Sequence, residues 1–197
     1  MQSELMQEKT VVLVKPDGVK RGLIGEIIHR IEQRGLKIIA LKMVVATEKQ
    51  AHDHYPNTEA WYKAIGEKSL ANYKELGKDP LKEIGTDDPV AIGKEVGEWN
   101  TEFLTSGPIV AMVVQGIHAI AMVRKIVGHT LPSKADMGTI RGDYSVDSPM
   151  LANENKRTLH NVVHASGDPS EAAHELKHWF SKEEIHEYPR AEEDIMF

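Results

Sequence analysis

Residues 10–35 read TVVLVKPDGVKRGLIGEIIHRIEQRG and contain signals for a strand, a turn and a helix in succession. Thr10 to Val14 is rich in β-branched residues, and it ends at Lys15-Pro16-Asp17-Gly18, where proline and glycine favour a turn. Apolar residues then recur at helical spacing from Gly22 to Arg34, and Gly35 ends the pattern as a C-terminal cap does. The stretch predicts a strand that leads through a loop into an amphipathic helix.

Three more strands are predicted further along the chain. Leu36 to Ala46 and Pro108 to Val114 are apolar on both faces, which predicts central, covered strands, and Leu159 to Val163 predicts a short strand that runs into His164. By themselves, strands of this kind could also favour a parallel sheet. Further core helices are predicted at residues 48–55, 117–127 and 170–180.

Two stretches fit this pattern poorly. Pro56 to Thr105 is polar and rich in Gly, Lys and Glu, with weak helical segments at about 60–76 and 94–104. Asp147 to Arg157 is predicted as a loop rich in Pro, Asn and charged residues. Long connections are uncommon unless they are functional, so both are interpreted as surface elaborations of one compact domain.

Composition narrows the possible functions. The 197 residues are 41% hydrophobic and 27% charged, which fits one globular domain with a sizeable core. The net charge of −6 disfavours non-specific binding to nucleic acid or to anionic membranes. The chain has no cysteine, which excludes disulfides and thiol chemistry and fits a reducing, cytoplasmic location. Apolar runs are short throughout, so we expect neither a signal peptide nor a membrane span.

The segment His174-Glu175-Leu176-Lys177-His178 matches the HExxH pattern of zinc hydrolases. Helical geometry, however, points both histidines away from the apolar stripe of this helix and toward solvent. A catalytic zinc also needs a third protein ligand, and only 19 residues follow His178. Solvent-facing histidines are therefore the favoured interpretation. The predicted stripe consists of Ala172, Ala173, Leu176, Trp179 and Phe180.

Two other residues are candidates because of their positions. His164 follows an apolar strand, so its side chain is expected where the strand leaves the sheet, although a single histidine there is more often structural than catalytic. Glu175 lies on the flank of the helical stripe, where it either reaches a neighbouring element or stays half-exposed.

Positive charge stands at several loop entries. Lys15, Arg124 and Arg141 each lie near glycines or hydroxyls, and arginine forks match phosphate oxygens. Taken singly, each is more often a solvated surface residue. The chain contains neither GxxxxGK[ST] nor GxGxxG, so a phosphate site here is neither a P-loop nor a Rossmann turn.

Four segments together resemble the nucleoside diphosphate kinases, in the order of that family. They are Lys15 through Glu26, Ser106 through Pro108, Gly138 through Asp143, and Asn161 through Ser166. Several long motifs in register are far more specific than any single one. The resemblance covers residues from about 9 to 55 and from about 104 to 188.

The resemblance implies an α+β fold of the ferredoxin-like kind, a four-stranded antiparallel sheet covered by helices. The whole chain, 1–197, then forms a single domain with an inserted helical segment at about 56–104 and a loop insertion at about 147–158. A homo-oligomer is implied as well, since members of the family assemble as hexamers or tetramers.

The activity that the resemblance implies is transfer of the γ-phosphate of ATP or another nucleoside triphosphate to a nucleoside diphosphate. The family works in two ping-pong steps through a phosphohistidine, and His164 falls on that histidine. Mg²⁺ is the implied cofactor and is carried by the nucleotide, so no protein ligands to a metal are expected. Nucleoside di- and triphosphates are the expected partners, with no nucleic acid and no membrane.

Six positions match family residues that hold the nucleotide. Lys15 and Tyr55 are implied to lie near the transferred phosphate, and Asn161 with Lys15 is implied to contact the ribose. The other three are implied to hold the remaining phosphates. The six are Lys15, Tyr55, Arg124, Thr130, Arg141 and Asn161.

Glu175 matches the family's carboxylate that orients the histidine, and Ser166 stands behind it. This role explains the glutamate of HExxH better than zinc chemistry does. One departure from the family is the missing Arg-Pro-Phe-Phe segment after Tyr55, whose arginine binds phosphate and whose phenylalanine stacks on the base. Candidate replacements are Trp61 or Tyr62 for the stacking ring and Lys63 or Lys68 for the charge.

Three classes of function follow from the sequence. The first is the kinase, and the second is a zinc hydrolase built on His174 and His178. The third is a nucleotide-binding relative that the insertion has deprived of activity.

Overall fold

The structure is a computed structural model of the chain, and it describes residues 8–191 and 193–196. Its centre is a four-stranded sheet in the order β2-β3-β1-β4, in which every neighbouring pair is antiparallel. The predicted α+β class with an antiparallel sheet is therefore confirmed. The strands are β1 (Lys9–Val14), β2 (Lys37–Val44), β3 (Ile109–Gln115) and β4 (Val163–Ala165).

Helices surround this sheet, and the four predicted core helices are found as α2, α3, α7 and α10. No helix in the described ranges combines the length and the apolar character that crossing a bilayer requires. The helices are α1 (Pro16–Lys20), α2 (Ile24–Gln33), α3 (Glu48–His54), α4 (Glu59–Glu75), α5 (Pro80–Ile84), α6 (Pro89–Thr105), α7 (Ala119–Val127), α8 (Ile140–Tyr144), α9 (Pro149–Glu154), α10 (Pro169–Trp179) and α11 (Glu193–Met196).

The prediction of a central, covered strand is confirmed for β3, whereas it is wrong for Leu36 to Ala46, because β2 is an edge strand with Leu41 and Met43 exposed. Both faces of the sheet are covered at its centre, which explains why β1 and β3 are apolar on both faces although they pair antiparallel. Successive residues of a strand point to opposite faces, so β1 contributes to two separate cores. One core joins the even positions of β1 to α2 and α7, and includes Val12, Val14, Ile27, Ile31, Val123 and Val127. The other includes Val11, Leu13, Ala51, Ile109, Trp179 and Phe180.

Two predicted boundaries are wrong. The turn expected at Lys15-Pro16-Asp17-Gly18 opens the short helix α1, because the fixed φ of Pro16 suits the first helical position. The strand expected at residues 159–163 begins only at Val163. Before it, the backbone amides of His160 and Val162 donate to the carboxylates of Asp147 and Asp17, at 2.7 and 3.0 Å, instead of to a neighbouring strand.

As a consequence, His164 lies in the middle of β4 rather than after its last residue. It pairs with Leu13 of the central strand β1. The backbone that carries the imidazole is thus held in the sheet, while Val162 just before it has a left-handed φ of 70°. The side chain is therefore presented from a rigid element.

The polar stretch after Tyr55 is more regular than its sequence pattern indicated. It forms the long helices α4 and α6, which approach so closely that a Cβ on Gly66 or Gly93 would collide with the backbone of the facing helix or its first turn. The loop predicted at residues 147–157 likewise contains the helix α9.

The two extra segments contact each other. Lys78, after α4, lies 3.3 Å from Glu154 at the end of α9, and Thr158 donates a hydrogen bond to Asn100 of α6. The bounds of the two insertions and the single domain over 1–197 stay predictions.

Candidate active site

His164 is held at one ring nitrogen by a buried carboxylate. Its Nε2 lies 2.7 Å from Oε1 of Glu175, and Ser166 donates its hydroxyl to Oε2 of the same carboxylate, also at 2.7 Å. The Ser166 oxygen in turn accepts the backbone amide of Val11, at 3.1 Å. An ionised carboxylate only accepts, so it places the imidazole proton on Nε2 and leaves the lone pair of Nδ1 free.

Glu175 has no exposed surface, which rules out the half-exposed alternative. Burial raises the pKa of Glu175, while the neighbouring imidazole of His54 and the hydrogen bond from Ser166 act against that rise. For His164 the direction is the opposite, because burial and the positive charge of Lys15 both lower its pKa. His164 is therefore a neutral imidazole at physiological pH.

Three cations lie near this imidazole. The charges of Lys15, Arg141 and Arg124 all lower the pKa of His164. In residues 8–191 and 193–196, none of the three lies within ion-pair distance of a carboxylate. Like charges held together in this way make a site for an anion with several negative charges.

Arg141 is buried, contrary to the surface position that a single arginine usually takes. Its two terminal nitrogens donate to the carbonyls of Gly128 and Val163, at 3.0 and 2.7 Å. Burial, followed by the charge of Arg124, lowers the pKa of Arg141 to about 10. Both partners are neutral carbonyls, so neither of these hydrogen bonds neutralises the positive charge of the guanidinium.

Lys15 and Asn161 are also brought together. Lys15 Nζ donates to Oδ1 of Asn161, at 2.8 Å, and the Asn161 amide donates to the backbone carbonyl of Thr130, at 2.9 Å. Burial, followed by the charge of Arg141, lowers the pKa of Lys15 to about 8. Thr130 thus joins the cluster through its backbone, while its side chain is exposed.

Arg124 and Tyr55 are the remaining two of the six residues predicted to hold the nucleotide. Arg124 is exposed at the end of α7, and a Cβ added to Gly167 would lie 3.6 Å from its Nη1. Tyr55 follows α3, and its ring centroid is 4.8 Å from that of His54. Burial raises the pKa of the Tyr55 hydroxyl, so it is a neutral hydrogen-bond donor.

The sequence analysis missed His54. This imidazole is buried, and its ring stands edge-on to that of His164 with centroids 4.5 Å apart. Its Nδ1 lies 3.7 Å from Oε1 of Glu175 and accepts the indole N–H of Trp179 at 3.2 Å. Helical spacing could have indicated that His54 is buried, because Ala51 and His54 are three residues apart and share the buried face of α3.

His174 and His178 hold two helices together. Nε2 of His174 donates to the carbonyl of Asp53 at 3.1 Å, and Nε2 of His178 donates to that of Gln50 at 2.8 Å. The expected solvent exposure is found for His174 but not for His178, which is half-buried. The predicted stripe also needs a correction, since Ala173 is exposed.

The described residues that could together hold a metal ion are not the two histidines of HExxH. His54, His164 and Glu175 offer ligand atoms within 4.8 Å of one another. The 2.7 Å between His164 Nε2 and Glu175 Oε1 is a hydrogen-bond distance, whereas two ligands on a tetrahedral zinc stand roughly 3.4 Å apart. With Nδ1 of His54 also engaged by Trp179, these groups form a hydrogen-bonded support for His164.

The candidate replacements for the missing family segment are spread over α4. Trp61 lies beside Tyr55, with ring centroids 5.7 Å apart. Tyr62 donates its hydroxyl to Asn57 at 3.0 Å, and Lys63 lies 4.0 Å from Glu67. Lys68 is exposed. Trp61 is thus the candidate that contacts a predicted site residue.

Fold and site together define an α+β protein that presents a neutral histidine among uncompensated cations. Comparison with known proteins is more specific. The sequence profile of the family "Nucleoside diphosphate kinase" matches residues 8–66 and 91–185. The chain belongs to the nucleoside diphosphate kinase family, and it is an enzyme of that class. The unmatched residues 67–90 lie inside the insertion predicted at 56–104.

Relatives and solved structures agree with this assignment. The nucleoside diphosphate kinase of Pyrobaculum aerophilum is 53% identical over 178 residues, which are 90% of this chain and 97% of the relative. That of Archaeoglobus fulgidus is 38% identical over 190 residues, which are 96% of this chain and 97% of the relative.

The crystal structure of an NDP kinase from Pyrobaculum aerophilum has a TM-score of 0.90 and 51% identity, and the match covers 92% of this chain and 100% of that one. A transition-state mimic of the nucleoside diphosphate kinase from Borrelia burgdorferi, with bound vanadate and ADP, has a TM-score of 0.76 and 34% identity over 96% of each chain. Family, fold class and enzyme class, as implied by the resemblance, are confirmed.

Proposed function

We propose that this enzyme moves the γ-phosphate of a nucleoside triphosphate to a nucleoside diphosphate through phosphorylated His164. One observation carries the proposal. A neutral imidazole, held at Nε2 by buried Glu175, stands among three cations that have no carboxylate partner in the described part of the chain. The nucleophile and the anion site thus coincide.

In the first step, the lone pair of His164 Nδ1 attacks the γ-phosphorus, and the bond to the bridging oxygen breaks. The nucleoside diphosphate leaves with that electron pair, and no proton has to move because Nδ1 carries none. The imidazole becomes more positive as the bond forms, and the Glu175 carboxylate at 2.7 Å stabilises that charge. In the second step, a terminal oxygen of another nucleoside diphosphate attacks the phosphohistidine and restores the free imidazole.

The cations act on the charge of the transferred group. Lys15, Arg124 and Arg141 stabilise the negative charge that spreads over the phosphoryl oxygens, and Tyr55 donates its hydroxyl near them. Asn161, together with Lys15, contacts the ribose, and Thr130 helps to hold the remaining phosphates. These roles are supported by the charges of Lys15, Arg124 and Arg141, which act on His164, and by the hydrogen bonds that join Lys15 to Asn161 and Asn161 to the backbone of Thr130. Tyr55 contacts His54, the neighbour of His164.

Mg²⁺ arrives with the nucleotide in this proposal. The carboxylates near His164 are engaged within the protein: Glu175 accepts two hydrogen bonds, Asp17 accepts the amides of Gly18 and Val162, and Glu171 accepts that of Gly167. Such a donor set suits a metal ion that is held by phosphate oxygens. The ion supplies further neutralisation of the phosphate charge.

Labelling with ATP tests the proposal. Wild-type protein incubated with γ-labelled ATP is expected to carry acid-labile label, and added GDP is expected to remove it as labelled GTP. His164→Ala should show neither, whereas the matched control His29→Ala, an exposed histidine of α2, should behave as wild type. Label and transfer that survive in His164→Ala would contradict the proposal.

A homo-oligomer is supported by the edge of the sheet. β2 is an edge strand, and Leu41, Met43 and Val45 on it and just after it are exposed large apolar side chains. An exposed apolar edge of this kind is typical of a surface that another chain covers. The cytoplasmic location stays a prediction.

A further inference from the structure

Trp179 and His54 form a hydrogen-bonded pair directly behind the nucleophile. Both side chains are buried, and the indole N–H of Trp179 donates to Nδ1 of His54 at 3.2 Å. An indole nitrogen can only donate, so Nδ1 of His54 has to be unprotonated for this bond to exist. The tryptophan therefore selects the neutral form of His54 that carries its proton on Nε2.

The protonation state of His54 affects Glu175. Nδ1 of His54 lies 3.7 Å from Oε1 of Glu175, the same oxygen that accepts the Nε2 proton of His164 at 2.7 Å. A proton on Nδ1 of His54 would make this nitrogen a charged donor beside that oxygen, in competition with His164. If His164 loses its acceptor, its own proton is free to move to Nδ1, which removes the nucleophilic lone pair.

We propose that Trp179 and His54 are positioning residues. Their hydrogen bond keeps His54 neutral, so that Oε1 of Glu175 accepts the proton of His164 without competition from His54. The inference rests on the proposed function, with His164 as the nucleophile. The edge-on contact of the two imidazole rings, at 4.5 Å and 83°, also fixes the plane of the His164 ring. Neither residue touches the nucleotide in this scheme.

The groups around His54 come from several elements. Its own helix leads into Tyr55, β4 provides His164, α10 provides Glu175 and His178, and Lys15 follows β1. Burial lowers the pKa of His54, and the neighbouring groups His164, His178 and Lys15 act in the same direction, whereas Glu175 acts against it. Only neutral His54 can accept the bond from Trp179, so loss of that bond raises its pKa.

The substitution Trp179→Phe tests this inference, because it removes the N–H donor and keeps an aromatic ring. The measurement is the single-turnover rate of His164 phosphorylation by saturating ATP, from pH 4.5 to 8.5. At the alkaline end we expect a rate within about twofold of wild type. On the acid limb, where the wild-type rate is itself falling, we expect a loss of about tenfold, which corresponds to a shift of that limb by about one pH unit. Trp99→Phe, on α6, is the matched control and should leave the profile unchanged.

A double variant separates positioning from a merely structural role. His54→Asn replaces the imidazole by a neutral amide that cannot take up a proton, so adding it to Trp179→Phe should abolish the extra loss of rate on the acid limb. Thermal unfolding of each variant is measured at the alkaline end of the profile and on its acid limb.

An acid limb unchanged in Trp179→Phe, an equal loss of rate at all pH values, or an acid-limb defect that persists in the double variant would each overturn the inference. If wild-type protein itself acquires no label on His164, the proposed function fails instead, so the two failures are distinguishable.

Discussion

Glu175 shows how one buried carboxylate decides the chemistry of a neighbouring histidine. Both of its oxygens accept hydrogen bonds, one from His164 and one from Ser166, and it has no exposed surface. Helical periodicity placed this residue on the flank of its helix, but it could not reveal that β1 and β4 close over that flank. His54 was missed for the same reason, since its partners come from β4 and α10.

The substitution Glu175→Gln should disable the nucleophile while it keeps the shape of the side chain. An amide can offer an N–H where the carboxylate accepted one, so His164 is driven to carry its proton on Nδ1. We expect the rate of His164 phosphorylation to fall by about 10⁴-fold, as when a triad carboxylate is replaced by its amide. Ser166→Ala, which removes only the support of the carboxylate, should cost about tenfold. A near-normal rate in Glu175→Gln would show that the carboxylate does not set the tautomer.

A substitution of Arg124 tests the anion site. It is exposed, lies beside Gly167 and has no carboxylate partner in the described residues. Arg124→Ala should lower kcat/KM for nucleoside diphosphate by about 10²-fold, because one donor to the phosphoryl oxygens is lost. Its exposed neighbour Lys125 provides the matched control, Lys125→Ala, which should be neutral. An unchanged kcat/KM in Arg124→Ala would mean that this guanidinium contacts no phosphate.

Among the elements, the pair α4 and α6 depends on contacts that sequence periodicity does not register. The pattern indicated only weak helices here, because the buried positions of the two helices include glycines as well as a few large residues such as Tyr73 and Ile92. A Cβ on Gly93 would collide with the carbonyl of Tyr62, so the helix backbones are in direct contact. The strand β4 was misplaced for a comparable reason, since Asp147 and Asp17 take the amides that precede it.

Gly93→Ala should therefore destabilise the α4–α6 pair by about 1–3 kcal/mol, as overpacking does. We expect faster amide exchange and proteolysis in residues 59–105, with the amides of β1 and β3 still protected. Gly25→Ala in α2 is the control, because a Cβ there meets nothing within 4 Å and alanine favours the helix. Equal stability of the two variants would show that α4 and α6 can separate without cost.

For the molecule as a whole, the edge strand β2 predicts self-association. Leu41 on β2 and Leu81 on α5 are both 54% exposed, so they form a matched pair that differs in location. Leu41→Lys should shift sedimentation toward smaller species, since it puts a charge in the apolar edge, whereas Leu81→Lys should not. A monomeric wild type, or equal effects of the two substitutions, would argue against this edge as the interface.

The sequence by itself determined the family, the enzyme class and the four core helices, because local periodicity and motifs in register are properties of the chain. His164, Lys15 and Arg141 lie in those motifs, and the resemblance carried the prediction of site residues to Arg124 and Glu175 as well. Only the tertiary structure decided that Glu175 is fully buried, that His54 lies against His164, and that HExxH binds α10 to α3. Those facts arise where β1, β4, α3 and α10 meet, and hydrogen bonds between residues more than 100 positions apart leave no periodic trace in a sequence.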